Sequence, residues 1–221
     1  MNGASEERLA EIRSRIDKAA ALAGRKSEEV SLVAVSKTHG QEAIRPLIEA
    51  GQRLFGENRV QEAQAKWPAL REAHTDVELH LVGRLQSNKA AEAVPLFDCI
   101  HSLDRPSLVA ALARMMDKAG RRVPCFAQVN IGEEPQKGGC AIAELSALIA
   151  EARAADIPLS GLMCIPPEGV EPAPYFALLA KLADDNGLTG LSMGMSGDFE
   201  TAVMLGATHV RVGTALFGAR T

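Results

Sequence analysis

The chain has 221 residues, of which 47 % are hydrophobic and 24 % charged, so it can bury a sizeable core and is not a disordered polymer. The formal net charge is −4, aromatics make up 4 %, and no basic stripe is present, which argues against a nucleic-acid partner. The polar, acidic start is no secretory leader, and no apolar run is long enough to span a bilayer. Cys99, Cys125, Cys140 and Cys164 lie far apart without a Cys-x-x-Cys pair, as reduced cytoplasmic thiols would.

Leu9, Ile12, Ile16, Ala19, Ala20 and Ala23 recur three and four apart and predict a first helix, capped by Ser5 and ended by Gly24. Ser31 to Lys37 then reads as a strand. Its apolar centre, Leu32 to Val35, is rich in β-branched residues, as in a strand buried on both faces. It ends on Lys37, before the polar turn Thr38-His39-Gly40 and a helix over Glu42 to Ala50. From there strands and helices alternate. Strands are predicted at 53–55, 78–82, 98–101, 124–129, 159–163, 190–192 and 209–212. Helices are predicted at 59–73, 90–94 (stopped by Pro95), 106–119, 142–155, 174–186 and 198–205, and a last turn at 215–219. Eight strand–helix units without repeats or linkers predict one α/β domain over residues 1–221, a TIM-type (β/α)8 barrel with an extra N-terminal helix; an open doubly wound sheet is the alternative.

In such folds ligands bind at the carboxyl ends of the strands. Lys37 stands there. A solvated lysine at a loop start is the plain reading. Beside an apolar sheet, however, burial disfavours the charged form, and a neutral amine can form a Schiff base. Two glycine loops, Met193-Gly194-Met195-Ser196-Gly197 and Gly213-Thr214, follow the last two strands, where barrels often hold phosphate; Ser196 and Thr214 add hydroxyl donors and a helix starting at Asp198 adds its positive end. Arg211, inside the last strand, needs a partner: a carboxylate such as Glu57 or Asp198, or an acceptor on a ligand. Asn58 either caps the helix that follows or orients a ligand ring. His80 and His101 read as satisfied core histidines, Lys89 and Lys137 as solvated, and Cys164 as a small buried apolar residue.

Six segments together, Ala34-Val35-Ser36-Lys37-Thr38, Phe55-Gly56-Glu57-Asn58, Leu85-Gln86-Ser87-Asn88-Lys89, Gly161-Leu162-Met163, Leu191-Ser192-Met193-Gly194-Met195-Ser196 and Val210-Arg211-Val212-Gly213-Thr214, resemble the YggS/PROSC family of pyridoxal phosphate homeostasis proteins. The resemblance covers nearly the whole chain. It implies a barrel like the N-terminal domain of alanine racemase, with pyridoxal 5′-phosphate (PLP) held as a Schiff base on Lys37. It further implies that Ser196, Gly213 and Thr214 hold the phosphate, that Arg211 faces the pyridine nitrogen, and that Asn58 and Met193 line the ring. Arg84, in place of a proline, and His39-Gly40 depart from the family pattern at the rim. An arginine cannot accept the pyridine proton, so the ring would be a poor electron sink. By the resemblance, the racemases' second catalytic base comes from a further domain, and no such domain is expected after the eighth unit here. The expectation is therefore a single-domain, monomeric, cytoplasmic PLP carrier with no catalytic residues and no metal, which serves PLP and amino-acid balance and has apo PLP-dependent enzymes as acceptors. A PLP-dependent racemase and a Schiff-base aldolase acting on a phosphosugar are the alternatives.

Overall fold

Eight strands pair in parallel and in chain order, and β1 closes the ring against β8. The structure, a computed structural model, describes residues 2–218. The strands are β1 (Ser31–Val35), β2 (Leu54–Glu57), β3 (Glu78–Leu81), β4 (Cys99–Leu103), β5 (Cys125–Val129), β6 (Leu159–Cys164), β7 (Gly190–Ser192) and β8 (His209–Val212). Helix α1 (Asn2–Leu22) precedes them. Between and after them run α2 (Gln41–Glu49), α3 (Val60–Ala73), α4 (Ala90–Leu96), α5 (Pro106–Ala119), α6 (Leu145–Ala154), α7 (Ala173–Asp185), α8 (Phe199–Met204) and α9 (Thr214–Phe217). The closed barrel is the predicted fold, and the open sheet is excluded.

The stripe Leu9, Ile12, Ile16, Ala19 and Ala20 buries α1 in the outer core. Ser5 lies inside α1, which begins at Asn2, and so does not cap it. Pro95 sits in the last turn of α4 instead of stopping it, because helix capture by the core outweighs one lost N–H near an end. The turn predicted at 215–219 is the short helix α9, and Ala219 lies outside the described residues. No described helix is long and apolar enough to cross a membrane.

Two cores result from the alternation of side chains along each strand. The large one joins helix residues to strand residues such as Leu32, Ala34, Phe55, Leu191 and Val210, and lies between barrel and helices. Two small clusters, Val33 with Val35 and Val82, and Cys99 with Phe126 and Met163, draw on no helix and fill the barrel interior. Between them the interior is polar, and this determines the site.

Candidate functional site

Beyond β1, the two-residue period puts Lys37 on the face of Val33 and Val35, towards the barrel axis. A tight turn follows: the His39 N–H donates to the carbonyls of Ser36 and Lys37, and Thr38 takes a left-handed φ of 59°. Lys66 of α3 pins this turn by donating from Nζ to Ser36 O and His39 O, both at 2.9 Å. The same ammonium lies 2.7 Å from the carboxylate of Glu57, which is fully buried. Glu57 Oε1 also accepts from Ser36 Oγ at 2.6 Å and Trp67 Nε1 at 3.0 Å. Glu57 therefore faces the helix layer and is no partner for Arg211.

At the carboxyl ends of the strands lies a cavity of about 570 Å³. Lys37, Asn58, Ser196, Arg211, Gly213 and Thr214 all line it. They come from the ends of β1, β2, β7 and β8, and closure of β1 on β8 sets Val33 beside Arg211. Asn58 does not cap α3, whose cap position is Arg59, and its side chain is free of hydrogen bonds among the described residues. Gly83 lets the Asn58 backbone come close: a Cβ there would lie 2.2 Å from the Asn58 carbonyl oxygen. Met193 departs from expectation. Ser192 faces the interior, so Met193 faces outward and is fully buried in the outer core, while Met195 lines the cavity. Helix α8 starts at Phe199, with Asp198 at its cap position, where the carboxylate accepts from the Met195 N–H at 2.6 Å. Among the described residues, the backbone N–H groups of Ser196, Gly197, Gly213 and Thr214 donate to no protein atom, so four donors and two hydroxyls remain for an anion.

Arg211 is buried, and among the described residues it makes no ion pair. Its Nη1 donates to Ser192 Oγ at 2.6 Å and its Nη2 to Cys164 O at 2.8 Å. Ser192 Oγ lies 2.8 Å from His101 Nδ1, and His101 Nε2 lies 2.9 Å from His80 Nδ1. Both imidazoles are core residues, as the sequence reads them, and burial drives their pKa values down, His80 to about 3 and His101 well below its ordinary range. Cys164 is buried, and burial pushes its thiol up to about 12. Lys89 pairs with Glu92 at 3.0 Å and Lys137 with Glu134 at 2.6 Å, so neither is simply solvated. At the rim, His39 stacks on Phe217 with ring centroids 4.7 Å apart, and Arg84, highly exposed, also lines the cavity. Gln128, inward on β5, is a lining residue the sequence reading missed; a glutamine in the apolar run Cys125–Val129 was its signal.

The arrangement combines a primary amine, an anion cup and a donor-only arginine. The profile of the alanine racemase N-terminal domain family matches residues 8–221. The chain is 42 % identical to the pyridoxal phosphate homeostasis protein of Pseudomonas aeruginosa, over 97 % of this chain and 95 % of that one. It is 40 % identical to the protein of the same description from Aquifex aeolicus, over 97 % of each. Among solved structures, PipY of Synechococcus elongatus with PLP bound superposes with a TM-score of 0.86 at 41 % identity, over 97 % of this chain and 100 % of that one. Alanine racemase of Bartonella henselae shares the fold, with a TM-score of 0.75 at 16 % identity; this chain spans 59 % of its length.

Proposed function

From the chain's membership of the pyridoxal phosphate homeostasis protein family, which the relatives' identity and coverage establish, we propose that it binds PLP in this cavity, with Lys37 as the covalent anchor, and serves PLP homeostasis. The observation that carries the reading is the convergence of Lys37, the unpaired donors of Ser196, Gly197, Gly213 and Thr214, and Arg211 on one space of suitable size. The residues fit the group. The amine would hold the cofactor's carbonyl carbon as a Schiff base, the glycine loops its phosphate, and Arg211 its ring nitrogen; Asn58 would flank the ring. When bound, PLP supplies an electrophilic carbon and a conjugated ring that draws electrons from an attached amine. Arg211 donates and cannot accept, so it would favour an unprotonated ring nitrogen and a shallow electron sink.

The same lining supports carriage without appreciable turnover. Apart from Arg84 and Arg211, Lys37 is the one basic side chain among the described lining residues, and the lining holds no carboxylate, imidazole, thiol or phenol. Racemisation needs a base on each face of the reacting carbon. Tyr175, the chain's single tyrosine, packs on the core from α7. Apo PLP-dependent enzymes in the cytoplasm are the proposed acceptors, and the carrier acts as a monomer.

The test is the visible absorption spectrum of the purified protein and of Lys37→Ala, before and after borohydride. A yellow wild type that bleaches and gains cofactor mass at Lys37, with no such band in the variant, is expected. A protein that stays colourless with added PLP would sink the reading and favour the phosphosugar aldolase. Racemase turnover on the order of 10 per second would overturn the carrier assignment.

A further inference from the structure

Arg211 stands at one end of a chain of hydrogen bonds that crosses the barrel interior through Ser192 and His101 to His80. A guanidinium only donates, and this gives the chain a direction. Ser192 Oγ must accept from Arg211, so its own hydrogen is free for His101 Nδ1. His101 then carries its hydrogen on Nε2 and donates to His80 Nδ1. His80 in turn carries its hydrogen on Nε2, which points to Glu78 at the exposed foot of β3, 3.9 Å away. The opposite direction would leave the Ser192 hydroxyl hydrogen without an acceptor. We propose that Ser192, His101 and His80 are positioning residues that aim Arg211 into the cavity, each fixed as a neutral donor–acceptor link by the one before it.

The geometry explains how a buried cation is tolerated without a carboxylate. Two neutral acceptors, Ser192 Oγ and Cys164 O, hold two of its nitrogens, and donors remain for the cavity. His209 is the other imidazole facing the pair, with ring centroids 6.0 Å from His80 and 5.7 Å from His101; its Nδ1 is taken by Thr208 Oγ1 at 2.9 Å. Burial keeps His80, His101 and His209 uncharged beside Arg211. The ligand atoms of His80, Cys99 and His101 also lie within 4.8 Å of one another. Yet the two facing imidazole nitrogens are spent on each other, and burial raises the Cys99 thiol, which disfavours a metal-binding thiolate.

The cofactor-free arm uses nitrogen-15 spectra of the histidine and arginine side chains of the whole protein at pH 7. Both His80 and His101 should show the neutral Nε2–H tautomer. The Arg211 guanidinium protons should be protected from exchange, and lose that protection in Ser192→Ala. An imidazolium or an Nδ1–H tautomer at His101, unchanged Arg211 exchange in Ser192→Ala, or stoichiometric zinc held by the two histidines in the purified protein would each overturn the proposal.

The second arm rests on the PLP reading. In Ser192→Ala, PLP should bind on the order of tenfold more weakly and its absorption band should move, with borohydride still fixing it to Lys37. His101→Leu should do the same. His101→Asn, whose amide oxygen can stand where Nδ1 does, should stay within about threefold of wild type. Unchanged affinity and band in both Ser192→Ala and His101→Leu would refute the positioning role. A wild type that binds no PLP would refute the PLP reading alone, and the nitrogen-15 arm would still decide the chain.

Discussion

Glu57 and Lys66 form an ion pair directly under the turn that carries Lys37. Glu57 is fully buried, and the Lys66 side chain is 11 % exposed. Breaking such a pair costs more than the pair itself contributes, because the partner is left charged and desolvated. Here the partner also ties the carbonyls of Ser36 and His39, the residues flanking the Lys37–Thr38 turn. Glu57→Ala would leave the Lys66 ammonium without its counter-charge, Trp67 Nε1 without its acceptor and Ser36 Oγ with only the long contact to Gly56 O. We expect a loss of about 3–5 kcal/mol of unfolding free energy, read from urea denaturation. Lys66→Met should cost a comparable amount, since it strands the carboxylate, whose Oε2 is already without a partner among the described residues. Midpoints unchanged in both variants would show that the Lys37 turn is held by something else.

At the scale of elements, the strands pack with almost no spare room where glycines meet. A Cβ on Gly161 would lie 1.9 Å from the carbonyl oxygen of Gly190, its register partner on β7. The obstacle is backbone on both sides, so Gly161→Ala must part β6 from β7. It should destabilise the barrel by more than about 3 kcal/mol. Gly3→Ala in α1 meets nothing within 4 Å and should leave the melting temperature unchanged or slightly raised. Equal melting temperatures for the two variants would contradict the close approach.

The elements themselves were legible, because regular alternation of apolar runs and helical stripes leaves few folds open. Their ends were less so: tertiary packing carries α1 past Ser5 and α4 over Pro95, where local rules place a stop. That Lys37, Asn58, Ser196, Arg211, Gly213 and Thr214 share one cavity was legible for the same reason, since a parallel barrel gathers its strand ends. Met193 came from the family resemblance alone, and the three-residue strand before it gives no pattern that could have checked whether it points inward or outward. The polar chain was invisible. Ser192 and His101 stand 91 residues apart, and only closure of the barrel brings them together.

For the molecule as a whole, the buried imidazoles make stability depend on pH. Burial pushes His80 down to about 3, and the nearby His209 adds to the shift. Burial and the neighbouring imidazoles hold His101 well below its ordinary value. An unfolded chain protonates both near pH 6.5, whereas the folded chain leaves them neutral far below that. The unfolded state therefore binds more protons across this window, so stability is full above about pH 6.5 and falls as the pH drops towards 3. Burial likewise lowers His209 to about 4, so each of the three imidazoles approaches a slope of about 1.4 kcal/mol per pH unit below pH 6.5, and together they remove about 6 kcal/mol between pH 7.5 and pH 5. That is a large share of the roughly 5–15 kcal/mol typical of a folded domain. Urea unfolding at pH 7.5 and pH 5.0 measures it, in a range above the titration of ordinary carboxylates. A difference below about 1 kcal/mol would mean that the imidazoles are not buried neutral links. Protonating His101 also removes the acceptor that holds Ser192, so the aim of Arg211 fails with it. Loss of bound PLP should therefore track the acid loss of tertiary signal.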